Sequence, residues 1–405
     1  MITFIRDAIH GAPTAFMVFF IYVWIVWSGK ALAARRYRPT AADPGPLSVS
    51  VLVPVFREPE EIFRRVLESV RSQGPHELIV VVDGGDADLA ALAADSCDQV
   101  LRVPKAGKRA AIAAGLSVSD PATDVVVVVD SDTVWEPGAL REMLRPFADP
   151  RVGGVTPRQR IFDPTADPVR RLADWIEDLR YLLTVPAQSV FGQVGCLAGR
   201  TIAYRREAFE PAVRALVRQT VFGVPQHVGD DRVLTNELLR AGWRTVYQST
   251  AVVETDAPTS WRAFWHQQLR WGRSSQRETI LSLPWLWRRP AAAFTFVTDI
   301  VTPFALFAVV ALGVAHALGP GEGRGLAVAT EVVLAFAGML LSIGIRQIPH
   351  LRRRPRDLLR LPVFVLQLTF LMVPIRIIAF ATMLHQSWST RPSAAPHELV
   401  ALAES

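Results

Sequence analysis

The run Asp130-Ser131-Asp132-Thr133 follows five consecutive valines, Val125 to Val129. Five β-branched residues in a row read as a buried strand, so both carboxylates emerge where it ends. Two hard oxygen ligands there can hold Mg²⁺ or Mn²⁺, the ions that neutralise a departing nucleoside diphosphate. Spacing alone is weak evidence, because a second Asp-x-Asp, at Asp86 and Asp88, reads as a solvated helix start. Asp83 closes another apolar run before Gly84 and Gly85. Its carboxylate can accept hydrogen bonds from a uracil or ribose, or simply form an Asp-Gly turn. Lys105-Ala106-Gly107-Lys108-Arg109 opens a helical pattern and offers amides and positive charge to a phosphate, without P-loop spacing.

Asp230-Asp231-Arg232 starts another helical segment, so one carboxylate is expected to cap it. The other suits a general base that takes the proton from an acceptor hydroxyl. In Gln267-Gln268-Leu269-Arg270-Trp271, the residues Gln267, Arg270 and Trp271 stand at i, i+3 and i+4 on one helical face. Arg matches a diphosphate and Trp a sugar ring, while a Trp/Arg belt at a membrane surface is the plainer alternative.

These groups need a frame. Residues 47–53, 77–82, 99–103 and 125–129 read as strands, and 60–72, 87–94 and 108–118 between them as helices. Such alternation predicts an α/β fold, a mainly parallel sheet with flanking helices, whose ligands bind beyond the carboxyl ends of the strands. Further helices are expected at 170–185, 230–240 and, Trp-rich and amphipathic, at 261–278.

A mean hydropathy of +0.23 is high for a soluble enzyme. Apolar runs long enough to cross a bilayer occur at 11–29, around 300–315, at 326–345 and at 361–384. The chain therefore divides into an N-terminal span in 1–30, a soluble domain in 31–258, an interfacial helix in 259–290, and three spans with a tail in 291–405. Lys30, Arg35, Arg36 and Arg38, then Arg288 and Arg289, then Arg352, Arg353, Arg354 and Arg356 all fall on one side if every span crosses. That side is the cytosol, which makes this a multi-pass plasma-membrane protein with a cytosolic domain. A cleavable signal peptide ending near Ala31-Leu32-Ala33 is the rival reading, opposed by the basic run that follows. Cys97 and Cys196 are too few for a disulfide framework. The net charge of +6 sits largely beside the spans and reads as contact with membrane lipid; no nucleic-acid motif accompanies it.

Taken in order, these residues resemble the processive membrane family 2 glycosyltransferases: hyaluronan, chitin-oligosaccharide and cellulose synthases. Gly229-Asp230-Asp231-Arg232 with Leu234-Thr235-Asn236, and the QQLRW run, look closest to the hyaluronan and chitin-oligosaccharide branch. The resemblance implies a GT-A type fold, with a UDP-sugar donor bound by Asp83, Lys105, Lys108, Asp130, Gln267 and Arg270. It implies a metal at Asp130 and Asp132, Asp231 as the base, and a saccharide acceptor at Trp271, Cys196 and Gly199. In-line displacement would invert the anomeric carbon and give a β-linked polysaccharide or oligosaccharide. A homo-oligomer is compatible with this reading, and so is a non-processive enzyme acting on a lipid-linked acceptor. Where that branch typically reads C-S-G-P, this chain places Ala198 and Arg200 in Cys196-Leu197-Ala198-Gly199-Arg200. Arg376 falls inside the last span, about 22 Å from its cytosolic end. Glu331 lies at a similar depth, and the two are expected to pair.

Overall fold

The computed structural model describes residues 12–317, 333–334, 337–339 and 341–385. Its centre is an eight-stranded sheet made of β1 (Val49–Val55), β2 (Glu77–Asp83), β3 (Gln99–Val103), β4 (Val125–Val129), β5 (Thr133–Trp135), β6 (Val152–Ile161), β7 (Thr201–Arg205) and β10 (Arg244–Thr255). The order is β3-β2-β1-β4-β7-β6-β10-β5, while β8 (Thr220–Val221) and β9 (Val224–Pro225) form a separate hairpin.

β1 to β4 pair in parallel, so their carboxyl ends share one edge of the sheet. Alternate β1 residues pack into opposite layers. Val49, Val51, Val53 and Val55 join Phe63, Val66 and Leu67 of the helix Glu60–Arg71, whereas Leu52 joins Ile112 of the helix Lys108–Val118. Burial on both faces is why these strands read as apolar runs.

The strands beyond β4 carry mixed compositions that the apolar pattern does not register. β7 matters most for the site. It runs antiparallel to β4 with Thr201 opposite Val129, which brings Gly199 and Arg200 to the edge where Asp130 emerges. The Asp130 amide donates to the Arg200 carbonyl at 2.9 Å.

The helix expected at 170–185 is a compound element. Asp167 caps the helix Pro168–Leu179 by accepting from the Val169 and Arg170 amides, and a π-helical turn, Arg180–Thr184, leads into Val185–Ser189. The helix Trp261–Leu286, capped by Ser260, crosses Val373–Ala381 so closely that a Cβ on Gly272 would stand 2.8 Å from that of Ala379.

Among the described residues, three helices are long and apolar enough to cross a membrane: Ala15–Arg36, Pro290–Ala315 and Pro355–Ala381. Half of the expected span at 326–345 lies outside the described residues, and a shorter apolar helix, Ala337–Arg346, overlaps the remainder. Glu331 is also outside them. Among the described residues the acid whose charge acts on Arg376 is Asp299, which also lies 3.9 Å from Lys30, while Arg180 acts on it as a like charge.

Candidate active site

Lys108 sits between two carboxylates, with its Nζ 2.5 Å from Asp130 Oδ1 and 3.0 Å from Asp230 Oδ2. Burial opposes its charge, but Asp130 and Asp230 outweigh burial and raise its pKa. Asp132, two residues past Asp130, has only the weaker counter-charge of Arg200. Burial, then the charges of Asp130 and Glu58, push its carboxyl up to about 6. Glu58 accepts a hydrogen bond from Ser131 Oγ at 2.8 Å. The sequence pattern did not single out Glu58. Its one available signal was position, since it follows β1 at the edge that also presents Asp83 and Asp130.

Asp83 accepts from the amides of Ala106 (2.8 Å) and Gly107 (3.1 Å). Two of the amides expected to face a phosphate are thus turned onto this carboxylate, which fixes the loop that delivers Lys108. The Asp-Gly turn is also present, with Gly84 and Gly85 at φ 86° and 69°. Lys105 Nζ lies 5.2 Å from the centroid of the Phe56 ring.

The expectation that one acid of the Asp230-Asp231 pair caps its helix does not hold. Gly229, at φ 87°, is the N-cap, and neither carboxylate caps from that position. A Cβ on Gly229 would fall 1.8 Å from Ser274 Oγ of a distant helix, so tertiary packing selects glycine over a side-chain cap. Asp230 turns to Lys108 instead. Burial would raise its pKa, but Lys108 lowers it below the ordinary carboxylate range. Asp231 is raised, first by burial and then by Asp230. Its Oδ1 accepts from the Arg232 amide at 2.7 Å, and its Oδ2 from the Gly199 amide at 3.2 Å and from Cys196 Sγ at 3.8 Å. Two adjacent acids are therefore driven apart, one held ionised and one made more basic.

Trp271 is 37 % exposed, with the Arg200 guanidinium 5.6 Å from its ring centroid. Arg200 in turn pairs with Glu177 at 2.9 Å. Asp83, Lys105, Lys108, Asp130, Asp132, Cys196, Gly199, Asp231, Gln267, Arg270 and Trp271 all line one cavity of about 930 Å³. The cavity continues between apolar helices past Phe19, Val23, Thr302 and Arg376. Two π-helical turns border it, through Arg180, Leu183 and Thr184 of one and Leu368, Thr369 and Met372 of the other. Such turns recur at functional sites, and their local distortion leaves no mark in residue periodicity.

A second acidic group, Asp174, Asp178 and His350, has ligand atoms within 4.8 Å of one another. Arginines already occupy it. Arg353 and Arg158 pair with Asp178, and Arg354 with Asp174. His350 bonds to Asp178 and Asp357 at 2.9 and 3.0 Å and stacks on Trp175, tying the 348–360 segment to the helix Pro168–Leu179.

A mainly parallel sheet with acidic residues beyond its carboxyl edge, joined to apolar helices, defines a membrane protein with a GT-A type glycosyltransferase fold. The chain belongs to glycosyltransferase family 2: the model described as "Glycosyltransferase like family 2" matches residues 44–274. It is an enzyme of the transferase class. A hyaluronan synthase of Streptococcus pyogenes serotype M3 is 29 % identical over 369 residues, covering 88 % of this chain and 86 % of that protein. An N-acetylglucosaminyltransferase of Rhizobium leguminosarum bv. viciae is 31 % identical over 362 residues, covering 86 % and 82 %. Another, from Rhizobium meliloti, is 31 % identical over 380 residues, covering 90 % and 85 %. Among solved structures, a mannosyltransferase from Pyrobaculum calidifontis in complex with GDP-Man and Mn²⁺ has a TM-score of 0.65 at 18 % identity, covering 96 % of this chain and all of that one, a likeness of fold.

Proposed function

We propose that this glycosyltransferase extends a β-linked polysaccharide or oligosaccharide processively from a UDP-sugar, with its catalytic domain in the cytosol of a multi-pass plasma-membrane protein. The observation that carries the reading is the single cavity, which has Asp130 and Asp132 in one part, Asp231 and Trp271 beside them, and residues of apolar helices further along. The donor set fits a divalent ion: hard oxygens only, with the Asp132 carboxyl pushed up by burial and then by the charges of Asp130 and Glu58. Asp130 and Asp132 would hold Mg²⁺ or Mn²⁺, which when bound neutralises the charge of the departing diphosphate. Lys108 and Arg270 add positive charge, Asp83 orders the loop beneath the donor, and Gln267 lies one turn before Trp271. Asp231 takes the proton from the acceptor hydroxyl; that oxygen bonds to the anomeric carbon as the bond to diphosphate breaks, so an α-linked donor yields a β-linkage. Trp271 stacks on the terminal sugar, near Cys196 and Gly199, and the product advances toward the apolar helices.

The test is UDP release by purified protein in nanodiscs across a panel of UDP-sugars with Mn²⁺, with products sized, beside Asp231→Asn. Turnover lost by about 10²–10⁴-fold in the variant, with a ladder of long products in the wild type, supports the synthase. Single-sugar addition to a lipid acceptor would replace it with the non-processive reading.

A further inference from the structure

The Arg200 side chain has no role in the chemistry above, yet it joins two parts of the site. It is 11 % exposed, with Nη1 2.9 Å from Oε1 of Glu177, itself 8 % exposed, and 3.3 Å from Gln159 Oε1. Its guanidinium carbon lies 5.6 Å from the Trp271 centroid, and its carbonyl accepts the Asp130 amide at 2.9 Å. Arg200 is therefore fixed by its backbone to the strand end that carries Asp130, and by its side chain to the ring at the acceptor end. Glu177 already neutralises the guanidinium, so Arg200 is not a spare anion site. Its charge also acts on Asp132, and its guanidinium carbon faces the indole. A partly desolvated cation near an indole ring is attracted by its quadrupole, and a ring so held loses less freedom when a sugar stacks on it.

We propose that Glu177 and Arg200 form a positioning pair that holds Trp271, and through it the acceptor's terminal sugar, in line with Asp231. This rests on Trp271 being the acceptor platform.

The test uses the full chain in nanodiscs with UDP-N-acetylglucosamine and a soluble chito-oligosaccharide. Arg200→Leu should raise the acceptor KM about tenfold and shorten the products, while the donor KM moves less than twofold. Arg200→Lys keeps a cation for the ring but loses the planar fork toward Glu177, and should recover part of the loss. Glu177→Gln should also raise the acceptor KM, and Glu177→Gln with Arg200→Leu should be no worse than Arg200→Leu alone, because the two act as a unit. An unchanged acceptor KM, equal rises in both KM values, or additive effects would overturn the proposal. If Arg200→Leu does not fold, Glu177→Gln and Arg200→Lys carry the same comparison. Trp271→Ala separates the two levels: if its acceptor KM equals the wild type's, the platform reading fails, and if only the Arg200 and Glu177 variants are silent, the pair alone does.

Discussion

Gly272→Ala tests whether the helix that carries Arg270 and Trp271 is held in place by the helix Val373–Ala381. The two cross where the new Cβ would stand 2.8 Å from Ala379 Cβ. Carbon atoms in contact prefer about 3.5–4.0 Å, so the helices must separate by about 1 Å. They cannot simply slide apart. Arg273 Nε bonds to Thr382 Oγ1 at 2.9 Å, and Gln276 Nε2 bonds to the Arg376 carbonyl at 2.9 Å, both across this crossing. Overpacking of this kind costs about 1–3 kcal/mol of stability. The catalytic cost is larger, because Arg270 and Trp271 move with the helix, and a misplacement of about 1 Å costs on the order of 100-fold in rate. The assay is the initial rate of UDP release beside thermal unfolding, both in nanodiscs. Ala379→Gly added to Gly272→Ala removes the clash at about 1 kcal/mol of helix propensity, and should restore the rate to within several-fold. A fully active Gly272→Ala, or a double variant no better than the single, would refute the argument.

Lys108→Met should move the acid limb of the pH profile of kcat/KM to higher pH. The Lys108 charge lowers the pKa of both Asp230 and Asp231, and a base must be ionised to work, so removing that charge demands higher pH. A limb that stays put, measured between about pH 5 and 9, would mean that Asp231 is not the titrating group. Mn²⁺ affinity, measured calorimetrically, should fall about tenfold per pH unit below about 6, because the ion must displace the proton that Asp132 holds there. Asp132→Asn should weaken binding at neutral pH and flatten that slope, and a flat profile in the wild type would contradict the assignment. Asp178→Asn should lower stability by roughly 3–5 kcal/mol, since it leaves the partly buried Arg158 without a carboxylate and the buried His350 with Asp357 alone. An unchanged melting temperature would show that the network adds nothing net.

The first half of the sheet and its chemistry were legible because they obey short-range rules. Burial on both faces makes Val125 to Val129 uniformly apolar, and the residue after such a strand necessarily stands at its carboxyl edge. Asp83 and Asp130 are found by that logic, and Glu58 was within its reach. What stayed hidden depends on contacts between distant segments. Asp230 reads as a cap until Ser274, more than 40 residues later, fills the space beside Gly229 and Lys108 claims the carboxylate. Arg200 reads only as a departure from a motif until β7 inserts antiparallel beside β4 and sets it between Asp130 and Trp271. Glu177 is one acid on an amphipathic helix until that same insertion brings Arg200 to it. A motif fixes which groups can react, whereas the pairing of strands far apart in sequence decides which charges they meet. Those charges, Lys108 on Asp230 and Asp230 on Asp231, are what separate a structural acid from a base.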